Sequence, residues 1–141
     1  MKKIFFLFIT LSLFSCKHLI KEVILKYNDN SPKLIHYYKI VDDKKILVSE
    51  TAFYPNKNKL MEGEYKNNQR NGKWTSWYEN GNKWSEAVYD SDIRNGINTT
   101  WYENGKKRYE GNYSKGIKTG IWKFWNENGQ LINQMDFDKN N

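Results

Sequence analysis

The chain has 141 residues, 23 Lys and Arg against 16 Asp and Glu, and a formal net charge of +7. That length is one domain's worth and excludes a large multidomain enzyme, while a mean hydropathy of −0.90 excludes a bundle of membrane helices. Aromatic residues make up 16% of the chain, too many for a disordered segment, and a single cysteine rules out any intrachain disulfide.

Residues 1–15 read as a signal peptide. Lys2 and Lys3 form a basic start, and Ile4 to Phe14 is apolar apart from Thr10 and Ser12. The stretch is too short to span a bilayer, which needs about 20 residues, and its layout is that of a secretory leader. Leu13-Phe14-Ser15-Cys16 resembles the bacterial lipobox, with Phe14 departing from the usual small or aliphatic residue. The resemblance implies that Cys16 is acylated and becomes the mature N-terminus, and several acyl chains anchor far better than one. Lys17 follows the cysteine instead of an acidic residue, which by the same resemblance implies the outer membrane or cell surface of a two-membrane bacterium.

Residues 16–58 are expected to form a tether and degenerate capping repeats, and residues 59–141 the repeat array proper. Trp-Tyr-Glu-Asn-Gly occurs at 77–81 and 101–105, and Trp-Asn-Glu-Asn-Gly at 125–129, each 24 residues after the last. Gly72, Gly96 and Gly120 keep the same step. So do Tyr65, Tyr89, Tyr113 and Phe137, and so do Gly63, Ala87 and Gly111. The period continues weakly upstream, where Phe53-Tyr54-Pro55-Asn56 precedes Trp77 by one step. Atypical terminal repeats are expected of a stacked array.

Each unit predicts two strands. The spacing gives strands near 20–27, 33–41, 45–54, 59–66, 72–78, 83–89, 96–102, 107–113, 120–126 and 130–137. Asn80-Gly81, Asn104-Gly105 and Asn128-Gly129 predict two-residue hairpin loops with positive φ at both positions. Lys66–Asn71, Asp90–Asn95 and Ser114–Thr119 predict longer polar turns. With Tyr65 opposite Gly72, Trp74 faces Gly63 on one neighbouring strand and Ala87 on the other. Trp122 repeats the arrangement against Gly111, so each aromatic covers a small strand residue. Asn98 replaces tryptophan in the middle copy and should interrupt the stripe. The expected fold is all-β, a single-layer twisted antiparallel meander of repeated hairpins, growing by roughly 10 Å per repeat.

Gly63-Glu64-Tyr65, Asn71-Gly72-Lys73-Trp74 and Trp77-Tyr78-Glu79-Asn80-Gly81 together resemble the bacterial MORN repeat variant, clearly over 59–137 and loosely over 20–58. Arrays of this kind include the YwqK-family antitoxins. The departures are Ala87 for the first glycine, Asn98 for tryptophan and Asn126 for tyrosine. The resemblance supplies no catalytic residues. It implies a binding scaffold, and a cognate toxin as the alternative partner.

Candidate sites follow from the rows. Trp77, Trp101 and Trp125 share the face opposite Trp74, with Trp84, Val88, Ile97 and Ile121 near them, and are the expected exposed binding face. Arg70, Arg94 and Lys118 form a basic row along one edge, suited to an anionic lipid, polymer or acidic protein. Glu79, Glu103 and Glu127 form an acidic row at the hairpin loops. At about 10 Å apart they lie outside the roughly 5–9.5 Å window of paired glycosidase carboxylates. His18 and His36 have no companion ligand at metal spacing. No metal, no cofactor, no nucleic-acid partner and no enzyme activity are expected. The expected partners are a membrane, reached through the lipid anchor, and a protein or envelope polymer.

Overall fold

The computed structural model describes residues 19–139. The expected leader and the Cys16 acylation site lie outside the described residues, as does His18. The ten strands are β1 (Ile20–Lys26), β2 (Pro32–Val41), β3 (Lys44–Phe53), β4 (Lys59–Lys66), β5 (Gln69–Trp77), β6 (Lys83–Asp90), β7 (Ile93–Trp101), β8 (Lys107–Ser114), β9 (Ile117–Trp125) and β10 (Leu131–Asp136). They form one open sheet in sequence order, every pair antiparallel. The fold is therefore the all-β meander expected from the 24-residue period. Among the described residues no helix is long and apolar enough to cross a membrane.

The two loop classes are the reverse of those expected. The tight loops are Asn67-Asn68, Ser91-Asp92 and Lys115-Gly116, with Asp42-Asp43 upstream, and both residues of each have positive φ. These are the two-residue connections, with Lys66 paired to Gln69 and Asp90 to Ile93. Asn and Asp tolerate the left-handed region because their short polar side chains bond locally. At the Asn-Gly sites only the glycine is left-handed, with Gly81 at φ 90°. The Gly81 N–H donates to Tyr78 O and the Tyr78 N–H to Asn82 O. Asn80 Oδ1 accepts the Asn82 N–H at 2.9 Å. This is a wider loop in which a left-handed glycine follows a tight turn, a bulged hairpin connection.

The register changes accordingly. Tyr65 pairs with Arg70, and not with Gly72 as expected. Between the pairs Glu64–Asn71 and Glu62–Thr75, β5 places Gly72, Lys73 and Trp74 across from Gly63 alone. Gly72 enters this bulge at φ 74° and Gly120 repeats it against Gly111 at φ 65°, whereas in the middle copy Ala87 stays paired with Asn98 and Gly96, at φ 127°, lies with Asn95 and Ile97 across from Val88. Bulges bend and twist a strand. Here the two extra residues bring Trp74 back over Gly63, so the expected packing is reached by another route.

The core is thin, and the strand pairings divide it between the two faces of the sheet. Ala52, Trp74, Ala87 and Trp122 are the buried apolar members of one face and Ile35 of the other, and Trp122 is 1% exposed. A Cβ built on Gly63 would overlap the Trp74 ring, and one on Gly111 the Trp122 ring. Thr51, Thr75 and Thr99 are buried one period apart. Ile97 and Ile121 stand exposed.

Candidate functional site

Three ladders tie each repeat to the next. In the first, Tyr54, Tyr78 and Tyr102 donate their hydroxyls to the carbonyls of Trp77, Trp101 and Trp125, each at 2.9 Å. Tyr27 does the same to Phe53 at 2.7 Å, which carries the pattern into the first hairpin. Burial pushes the Tyr78 phenol above its ordinary range.

The second ladder joins the wide loops. Asn58 and Asn82 donate from Nδ2 to the carbonyls of Glu79 and Glu103 at 2.8 Å. Asn104 donates to Glu127 O at 2.9 Å. The acidic row is thus held by its backbone, while the side chains of Glu79, Glu103 and Glu127 point into solvent-exposed positions. Such exposure leaves no burial to tune a carboxylate for acid–base work.

The third ladder involves the expected binding face. Lys59, Lys83 and Lys107 lie over the rings of Trp77, Trp101 and Trp125 at 5.5, 5.6 and 5.7 Å. Each lysine also pairs with a glutamate three residues on, namely Glu62, Glu86 and Glu110, at 2.6 to 2.8 Å. The lysine hydrogen bonds hold the Glu86 and Glu110 carboxyls below their ordinary range. Trp77, Trp101 and Trp125 are therefore half-buried under cations instead of forming a bare exposed row. Trp84 is 47% exposed. It lines a cavity together with Trp74, and so lies at the Trp74 face instead of the opposite one. The wide loop beside Trp77 breaks the simple alternation that would have placed it there.

The basic row also differs from a free edge. Arg70 lies 5.4 Å from the Trp74 ring and 4.6 Å from the Tyr89 ring, and pairs with Asp92 at 3.5 Å. Lys118 lies over Trp122 at 4.5 Å and Phe137 at 5.0 Å. Arg94 lies over Tyr113 at 5.3 Å and donates to the Tyr113 hydroxyl at 3.3 Å. Arg70 and Lys118 are half-buried by the tryptophan of their own repeat, whereas Arg94 has no tryptophan beneath it and is exposed. These cations contribute cation–aromatic attraction of roughly 0.5–2 kcal/mol each.

Upstream, His36 Nε2 sits 3.3 Å from Glu50, and His36 Nδ1 is 3.1 Å from the Tyr38 hydroxyl. Burial, with Glu50 beside it, pushes the Tyr65 phenol up to about 12. Sequence spacing separates His36, Glu50 and Tyr65 by 14 and 15 residues, so only the pairing of β2, β3 and β4 brings them together. The lysine and tyrosine ladders did have a signal, since Lys59, Lys83 and Lys107 and Tyr54, Tyr78 and Tyr102 each keep the 24-residue step.

The middle repeat departs from its neighbours in two linked places. Trp74 packs on Gly63 and Trp122 on Gly111, but Asn98 packs opposite Ala87. The smaller side chain at 98 makes room for the Cβ at 87. Asn98 is 2% exposed, and its Nδ2 has no hydrogen-bond partner.

No curated protein matches the chain. Residues 70–91, 94–115 and 118–139 each match the model of the MORN repeat variant, so the array from Arg70 to Lys139 is built of three MORN-type repeats.

Proposed function

We propose that the chain is a membrane-anchored lipoprotein whose repeat array serves as a non-catalytic scaffold for a protein or cell-envelope partner. Repeats of this type typically mediate membrane or protein binding. The observation that carries the reading is the repetition itself. The same tyrosine, asparagine and lysine–tryptophan contacts recur once per unit along an open sheet. Such an array offers an extended, regularly spaced surface instead of one enclosed reaction centre. The lipobox-like Leu13-Phe14-Ser15-Cys16, a few residues ahead of Ile20 in the sequence, supports the reading of a lipid anchor. The proposed location is the outer membrane or cell surface.

The test has two parts. Metabolic labelling with an alkyne fatty acid should mark the full chain and fail to mark Cys16→Ala; labelling that persists in the variant refutes the anchor. The full chain, purified in detergent and immobilised, should then retain an abundant envelope protein or polymer from envelope extract. Recovery of one stoichiometric small protein that is toxic when expressed alone would replace the scaffold reading with that of an immunity protein. Recovery of nothing above a bare-resin control would refute both.

A further inference from the structure

The middle repeat holds a cavity of about 210 Å³ where its neighbours hold a tryptophan. We propose that this cavity is a binding site for a small, flat aromatic carboxylate. Four observations converge on that chemistry.

The first is size. A cavity of roughly 150 Å³ accepts benzene, so this one has room for a ring of indole size. The second is shape. Positions 74, 98 and 122 occupy one register, and the flanking copies fill it with indole rings set edge-on to tyrosines. Trp74 meets Tyr65 at 5.3 Å and Tyr89 at 6.4 Å, and Trp122 meets Tyr113 at 5.1 Å. Trp74, Tyr89 and Tyr109 line the cavity, and Tyr89 stands to position 98 as Tyr65 stands to Trp74, so a guest ring would meet one of the two tyrosines that the missing indole would have had, with Trp74 and Tyr109 as further aromatic walls.

The third is the polar floor. Asn98 and Thr100 line the cavity. They are 2% and 7% exposed, and Asn98 Nδ2 and Thr100 Oγ1 are buried without a hydrogen-bond partner. An orphaned buried polar atom is costly unless something satisfies it. An indole N–H on the guest would donate to the Thr100 hydroxyl oxygen, and a ring hydroxyl would in addition accept from the Asn98 amide N–H. The fourth is charge. Arg70 and Arg94 line the cavity and no Asp or Glu does. Arg94 is exposed, and two tyrosine hydroxyls leave guanidinium N–H groups spare for a carboxylate.

The probe is indole-3-acetate, titrated into the full chain and read by isothermal calorimetry, with indole as the uncharged control. At about 0.3 kcal/mol per heavy atom, a guest of this size should bind with Kd at or below about 1 mM. Indole should bind roughly tenfold or more weakly, because it lacks the charge-assisted contact. Ala87→Gly combined with Asn98→Trp rebuilds the flanking pair, fills the cavity from within and should abolish binding while far-UV circular dichroism stays native. Arg94→Gln alters an exposed side chain and should bring indole-3-acetate down to the affinity of indole. Absence of saturation at about 10 mM, equal binding by the filled double variant, or equal affinities for indole and indole-3-acetate with the wild-type chain would overturn the proposal.

Discussion

Gly63→Ala tests the packing logic of the whole array. The substitution adds one methyl group to a buried strand position. Its Cβ would lie within 3.0 Å of Trp74 Cδ2, Cε2 and Cγ, closer than real Cβ contacts allow. Trp74 is 5% exposed, donates Nε1–H to Glu64 O at 3.1 Å and is wedged between Tyr65 and Tyr89. It has nowhere to move without losing those contacts. Overpacking of this kind costs about 1–3 kcal/mol, and the rigid ring puts the expected loss at the upper end, about 3 kcal/mol. Trp74→Asn alone should cost about 3–5 kcal/mol, as large aromatic truncations do. In that background the added methyl meets open space, and alanine is favoured over glycine within a strand by roughly 0.5–1 kcal/mol. The double variant reproduces the Ala87–Asn98 pair of the middle repeat. It should therefore be as stable as Trp74→Asn or slightly more so, which gives a coupling of about 3 kcal/mol between the two sites. Urea unfolding followed by far-UV circular dichroism measures all four corners of the cycle. Additive effects, or a Gly63→Ala loss below about 0.5 kcal/mol, would refute the argument that glycine is required at 63 by the ring above it.

Three further outcomes are expected. Tyr78→Phe removes a hydroxyl donated to Trp101 O at 2.9 Å and should lower stability by about 1 kcal/mol in urea unfolding; an unchanged midpoint would mean that the tyrosine ladder contributes nothing. The Tyr65 phenol is pushed up to about 12 from an ordinary 10.0, so the folded chain holds its proton more tightly than the unfolded chain does. That contribution is complete below about pH 10 and is lost as pH rises towards about 12, so Tyr65→Phe should show a smaller drop in urea midpoint over this window than the wild type, and an equal drop would refute it. Trp101→Ala should destabilise less than Trp74→Ala, because Trp101 is half-buried under Lys83 whereas Trp74 is enclosed. The reverse order in thermal melts would show that the buried face has been misassigned.

The period, the strand positions and the aromatic-over-glycine packing were legible because each repeat meets nearly the same neighbours. Position 74 faces residues 63 and 87, and position 122 faces 111, through one constant step. A local pattern repeated in register becomes a tertiary statement. Even the irregular middle copy was visible as Asn98 beside Ala87. What could not be read was the balance between loop and bulge. Asn-Gly fits a two-residue turn, yet Gly81 alone is left-handed, and the tight turn falls instead at Asn67-Asn68. Each hairpin has two ways to reach the same Trp74 position, and the shift introduced by the tight turn is undone at Gly72. Sequence alternation cannot distinguish two compensating changes from none.

Side-chain pairing across strands was equally hidden. Arg70, Arg94 and Lys118 read as an edge row, but the sheet sets them over Trp74, Tyr113 and Trp122. A cation's partner depends on which ring lies under it, and that depends on twist. The sequence by itself determined that this chain is a meander of 24-residue hairpins, because periodicity and small-residue placement are local. Only the tertiary structure decided that the gap at Asn98 is an arginine-rimmed cavity with two unsatisfied polar atoms at its floor, because a cavity exists only where several strands come together.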